Sequence, residues 1–232
     1  IVVIQSTIAI GQFALQSDLG LRALGEPVLD PQQSGICVLF AREQRWLRAY
    51  GLSGHPNLLG ALLSVLLLLI LDDIASARRW RRVWLTLVAS VGVIGLLTTF
   101  SRSAWLAVVT GLVCWLAKEL RERGLLNGGP EPQTAVRKLW GWAKTPQFIV
   151  PAVLALAFLL LFHDLVASRF LGLETPIEAR SIGDRQVDAS LSLRLIRQYP
   201  WSGVGVHNYL PAVRAIEPDS RTVHNVLLLA AA

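Results

Sequence analysis

Leu96-Leu97-Thr98-Thr99-Phe100-Ser101-Arg102-Ser103-Ala104-Trp105-Leu106 is the stretch that decides the fold. It is a short polar break between two apolar runs, Val83–Phe100 and Ala104–Ala117. Apolar runs of this kind read as membrane spans. With so short a break, Arg102 is held at the membrane surface with almost no loop to carry it away. A charge kept that close to hydrocarbon is costly, which makes Arg102 a functional candidate by default.

Further spans flank this pair. Leu58–Ala75 precedes it, Phe148–Phe162 follows it, and Val223–Ala232 begins another. Ile1–Leu21 is a weaker apolar run, interrupted by Gln5, Gln12, Gln16 and Asp18, and reads as the end of a span or a helix partly buried in a bundle. The expected fold is an all-α polytopic membrane bundle, with residues 1–232 forming a single membrane domain. Within it, 23–56 is an outer loop, 57–163 holds four transmembrane helices, 164–222 is a large outer loop, and 223–232 starts a further span. Composition agrees. Of the 232 residues, 53% are hydrophobic and 16% are charged, against about a quarter charged in a soluble domain. The chain lacks Met and opens and closes within apolar runs, so it reads as the middle of a longer protein. The outer loop is rich in Gly and Pro and is expected to be exposed, with Gly35–Phe40 as a short strand. Cys37 and Cys114 fall in a polar segment and mid-span respectively, so no disulfide framework is expected.

Charge orients the bundle. Ala75–Arg82 and Lys118–Gln147 carry most of the excess of basic over acidic residues, and all three lysines lie in the second segment. Both segments fall on one side, and the positive-inside rule makes that side the cytoplasm. The segment Asp164–Thr222 balances seven arginines against seven acids. The net charge of +6 is therefore a topology signal, and nucleic acid is not an expected partner. Trp80, Trp84, Trp105, Trp115, Trp140 and Trp142 cluster near span ends, as interfacial aromatics do.

The outer face then gathers the 23–56 loop, the Ser101–Arg102 break and the 164–222 loop. Within the last, Asp184–Gln198 is expected to be helical and to stop before Tyr199-Pro200. Gly203-Val204-Gly205 lacks the third glycine and the βαβ setting of a dinucleotide fingerprint and predicts a tight turn instead. The bland reading of Arg102 is an interfacial anchor; the functional one is a phosphate ligand, since guanidinium presents a fork of donors. Arg185 and Arg194 lie nine residues apart and point to opposite sides of one helix. Residue chemistry alone does not choose between them. His224, beside Asn225 at the start of the last run, is either a structural cap or a general base. His55, in His55-Pro56-Asn57, reads more as structural. The four histidines show no metal-ligand spacing.

Taken in order, these motifs resemble a known family. Thr99-Phe100-Ser101-Arg102-Ser103-Ala104-Trp105-Leu106, Arg185 fifteen residues before Pro200, Pro200-Trp201-Ser202-Gly203-Val204-Gly205 and His224-Asn225 are similar to the O-antigen ligase and polymerase family. Arg48-Ala49-Tyr50-Gly51 and His55-Pro56-Asn57 also occur in such proteins. His207 departs from the small residue usual at its position. The resemblance implies a multi-span membrane glycosyltransferase of the GT-C type in the inner membrane, active on the outer face. The donor would be a glycan on a polyprenyl diphosphate, typically undecaprenyl. The acceptor would be a glycan, lipid or protein hydroxyl, and no cofactor or metal is implied. Arg102 and Arg185 would bind the diphosphate, and His224 would be the base. Arg48, His55, Asn57, Asn225 and Arg221 would support them. The alternatives are a transporter or flippase of lipid-linked saccharides, lined by Arg102 and Arg185, and a non-catalytic scaffold. Transporters more often carry internal repeats and charged or broken mid-spans.

Overall fold

The computed structural model describes residues 1–41, 43–122, 145–171, 176–205 and 208–218, with side chains except at Glu122, Leu171, 176–185 and Asp188. The chain divides into two units, Ile1–Arg169 and Phe170–Ala232.

In the first unit, helix α1 (Val2–Leu15) is short and apolar. A hairpin of β1 (Val38–Ala41) and β2 (Gln44–Leu47) follows, antiparallel, with Val38 opposite Leu47. Helices α2 (Pro56–Ser76), α3 (Arg79–Thr98) and α4 (Arg102–Glu122) come next. All three are long and apolar enough to cross a bilayer. Helices α5 (Pro146–Leu161) and α6 (His163–Leu171) together make a fourth candidate span, bent by 79° at the break between them. The protein is an all-α membrane bundle; among the described residues the hairpin is an accessory.

Helix α3 is the central element, packed against α1, α2 and α5, while α4 lies mainly on α2. An aromatic cluster joins these helices near one end. Phe13 lies 5.7 Å from Phe100, 5.9 Å from Phe158 and 5.1 Å from Phe162, measured between ring centroids. Rings at these separations add to the burial of their area. Only 6% of the α4 span is buried, against 39% and 44% for α2 and α3. Its apolar Leu106, Val109 and Val113 therefore face outward.

The polar interruptions of the first run prove to be anchors. Buried Gln12 accepts from the backbone N–H groups of Tyr50 (3.0 Å) and Gly51 (2.8 Å). Its amide donates to Glu26 Oε1 (2.7 Å) and the Gly51 carbonyl (2.9 Å). Gln5 accepts from Leu52 N–H and Gln16 from Leu47 N–H. Three glutamines thus satisfy backbone groups that water would otherwise have to reach.

This corrects the expectation of an exposed 23–56 loop in its later part only, since residues 23–25 and 32–35 are exposed. Leu47 and Ala49 are fully buried, with Leu29, Leu39, Arg48 and Tyr50 nearly so. The predicted strand at Gly35–Phe40 is shifted to Val38–Ala41. The third span is longer than Ala104–Ala117, because Arg102 and Ser103 join its first turn and Lys118–Glu122 continue it. Phe148–Phe162 continues past its break into α6. Arg81–Asp73 (2.9 Å) and Lys118–Asp72 (3.1 Å) pair at the end of the bundle where α2 turns into α3.

In the second unit, helix α7 (Pro176–Gln198) stops one residue before Tyr199-Pro200, as a following proline requires. Gly203 and Gly205 take positive φ in the turn that follows, and short helix α8 (Tyr209–Arg214) packs Tyr209 and Val213 on Leu191 and Leu195. The Val223–Ala232 run lies outside the described residues.

Candidate functional site

The turn Thr99–Ser101 between α3 and α4 organises the site. Helix α3 ends with carbonyls that have no partner within the helix. Ala49 N–H donates to the Thr98 carbonyl at 3.0 Å, and Arg48 Nε donates to the Thr99 carbonyl at 2.8 Å. A cation at a helix C-terminus also suits the helix dipole. Phe100 then adopts φ of 46°, a left-handed conformation that costs a side-chain-bearing residue energy. Full burial of its ring holds it there.

That twist aims the next carbonyl at a second guanidinium. Arg169 Nε donates to the Phe100 carbonyl at 3.2 Å. In return, Arg102 Nη1 donates to the Arg169 carbonyl at 3.1 Å. Arg102 is the first residue of α4 and is half-buried. Three arginines from positions 48, 102 and 169 are thus fastened around one turn. Among the described residues no carboxylate pairs with Arg48 or Arg102. Burial, with repulsion from Arg169 and Arg102, brings the Arg48 guanidinium down to about 10. The Arg48 and Arg102 guanidinium groups, close together and without a carboxylate among the described residues, suit an anion.

A polar chain leads away from Arg48. Its Nη2 donates to Asn57 Oδ1 at 2.7 Å. Asn57 N–H in turn donates to His55 Nδ1 at 3.1 Å, so His55 caps α2. With Nδ1 accepting, the ring N–H is at Nε2, which faces Cys37 Sγ at 3.4 Å. Burial raises the Cys37 thiol, but the hydrogen bonds with His55 and Tyr50 and the nearby Arg48 charge outweigh it and bring it to about 7. Tyr50, whose hydroxyl accepts from Cys37 N–H at 2.8 Å, is raised by burial to about 12. Both cysteines are free.

The structure therefore brings together Arg48, His55, Asn57 and Arg102 of the expected residues. Arg185 lies on α7 in the second unit, and its side chain is not described. Arg194, on the same helix, is exposed. His207, Arg221, His224 and Asn225 lie outside the described residues. Arg169 was not singled out by sequence reasoning. Its one available signal was position: it falls four residues after Leu165, in register with the buried face of α6. Among the described residues no three His, Cys, Asp or Glu side chains gather as metal ligands.

The family model described as O-antigen ligase matches residues 87–232, which begin within α3 and include the Thr99–Ser101 turn. The chain belongs to the O-antigen ligase family. In general terms it is a multi-pass membrane glycosyltransferase of the O-antigen ligase and polymerase type. No curated protein and no solved structure matches the chain. Arg48, His55 and Asn57 precede the part of the chain that matches the O-antigen ligase model, and only the fold connects them to it.

Proposed function

We propose that this chain transfers a glycan from a polyprenyl diphosphate, typically undecaprenyl diphosphate, to an acceptor hydroxyl at the outer face of the inner membrane. The observation that carries the reading is Arg102, fixed at the start of α4 beside two further guanidinium groups at one end of the bundle. The leaving group is a diphosphate, and negative charge grows on it as its bond to the sugar breaks. Preorganised cations stabilise such charge more in the transition state than in the ground state. Arg102 and Arg185 do this without a metal.

The acceptor oxygen attacks the anomeric carbon while His224 removes its proton. The bond from that carbon to the diphosphate oxygen breaks, and the electron pair leaves with the diphosphate. Direct displacement inverts the anomeric centre. The acceptor is a glycan, lipid or protein, and cell-surface polysaccharide such as lipopolysaccharide is the expected product.

The test is reconstitution of the full-length protein in liposomes with an undecaprenyl diphosphate-linked glycan and candidate acceptors. Transfer that persists in chelator and inverts the anomeric centre is expected. Movement of the donor across the bilayer without transfer would establish the flippase reading instead.

A further inference from the structure

Helix α3 begins with the wrong sign of charge. A helix N-terminus carries partial positive charge and favours acidic side chains. Here the first turn holds no acid, and Arg78, Arg79, Arg81 and Arg82 crowd into five residues. Helix formation gives no reason for that arrangement, and two of the four have partners. Arg81 pairs with Asp73 at 2.9 Å, and Arg82 Nη2 donates to the Ala77 carbonyl at 2.9 Å. Asp72, beside Asp73, is held by Lys118. Arg78 and Arg79 are exposed, and among the described residues their guanidinium groups have no partner. The same turns are apolar on their outer side. Trp80 is 79% exposed and Trp84 66%, and Leu87 is exposed with them. Residues at i, i+4 and i+7 share a helix face, so these three form one stripe left open by the bundle. Helix α3 runs for 20 residues, about 30 Å, which is the thickness of the hydrocarbon core. Its start therefore meets the membrane surface opposite the Arg102 turn.

We propose that the start of α3 is a binding site for an anionic phospholipid of the bilayer. Arg78 and Arg79 take the headgroup phosphate, together with backbone N–H groups of the first turn that have no acceptor within the helix. Trp80 and Trp84 lie along the glycerol and upper acyl chains, the depth that indole rings favour. Charge complementarity selects the lipid. A zwitterionic headgroup brings no net negative charge to a turn that holds no acid, whereas an anionic one neutralises both the guanidinium groups and the helix dipole. A soluble anion would satisfy the arginines and leave both indoles in water. The site stands apart from the proposed transfer reaction, at the other end of α3.

The experiment uses the full-length protein in a neutral detergent, adds phosphatidylglycerol or phosphatidylcholine with the same acyl chains, and measures bound lipid by native mass spectrometry. Phosphatidylglycerol is expected to bind about tenfold or more tightly than phosphatidylcholine. Arg78→Gln with Arg79→Gln should remove that preference and leave phosphatidylcholine binding as it was. Arg78→Lys with Arg79→Lys keeps both charges and should keep most of the preference. Arg194→Gln with Arg197→Gln removes the same charge from α7 and should bind as the native protein does. Trp80→Ser with Trp84→Ser should weaken both lipids. Equal affinity of the native protein for the two lipids would overturn the proposal, and that comparison depends on no variant. Unaltered phosphatidylglycerol binding in Arg78→Gln with Arg79→Gln would overturn it too. So would an equal loss in Arg194→Gln with Arg197→Gln, which would mean that net charge and not a site attracts the lipid. Displacement of phosphatidylglycerol by excess glycerol phosphate would also overturn it, since the arginines would then hold a soluble phosphate as well as a lipid.

Discussion

Arg48 closes helix α3 from a distance: its Nε lies 2.8 Å from the Thr99 carbonyl, 51 residues along the chain. The same guanidinium reaches Asn57 in the first turn of α2, so one side chain ties the ends of two spans. Removing it leaves a buried carbonyl without its donor. Arg48→Ala is expected to destabilise the protein by about 2–3 kcal/mol, read as a lowered unfolding midpoint in detergent. Arg48→Lys should recover part of this, because an ammonium lacks the fork that serves two acceptors at fixed angles. Equal stability of Arg48→Ala and the native protein would show that the capping bond contributes nothing.

The proposed chemistry predicts a sharp division among the arginines. In the full-length protein, Arg102→Ala, Arg185→Ala and His224→Ala should each lower transfer by about 100-fold or more, with expression in the membrane maintained. Arg194→Ala should retain activity. Its loss would mean that Arg194 and not Arg185 serves the diphosphate.

Cys37 gives both a topology test and a pH test. A membrane-impermeant maleimide applied from outside should label Cys37 and leave Cys114 unlabelled. The opposite result would invert the orientation. The thiolate is the nucleophile, so labelling should rise with pH and reach half its maximum near pH 7, where an ordinary thiol would need about 9. The direction follows from the lowered value: above it the thiolate dominates, and below it the protonated thiol is inert. His55→Ala removes a hydrogen bond that lowers the thiol and should shift the midpoint upward.

Gly95 is expected to tolerate no side chain. A Cβ there would lie 2.7 Å from the Ser6 backbone and 2.5 Å from its side chain, so α1 would have to move off α3. Close helix approach of this kind depends on small residues. Gly95→Ala should cost about 1–3 kcal/mol, whereas Gly54→Ala, with nothing within 4 Å, should leave the unfolding midpoint unchanged.

Several features were legible because their causes are local. Leu58–Ala75 and Val83–Phe100 predict α2 and α3 closely, since a span must satisfy its backbone within itself and fill with apolar side chains. The stop of α7 at Gln198 follows from Pro200 by steric clash. The glutamines of the first run were visible as interruptions, but their use was not. Their acceptors bond to Leu47, Tyr50, Gly51 and Leu52, more than thirty residues away. An exposed 23–56 loop was the natural expectation from Gly and Pro content, because composition does not record which side chains of another helix will pair with a backbone.

The sequence by itself determined that this chain is a helical membrane bundle with an arginine at the break between two spans. Hydropathy, helix-stopping residues and the family motifs all act within short stretches, and each holds whatever the rest of the chain does. Only the tertiary structure decided what surrounds that arginine. Arg48 arrives on a packed hairpin segment and Arg169 on a helix bent by 79°. Both bond to carbonyls of the Thr99–Phe100 turn across 51 and 69 residues. The physical reason is that the partners are backbone carbonyls, which every residue carries. No pattern of side chains can mark which of them a distant guanidinium will find; the packing of α3, α4 and the Phe13–Phe100–Phe158–Phe162 cluster does.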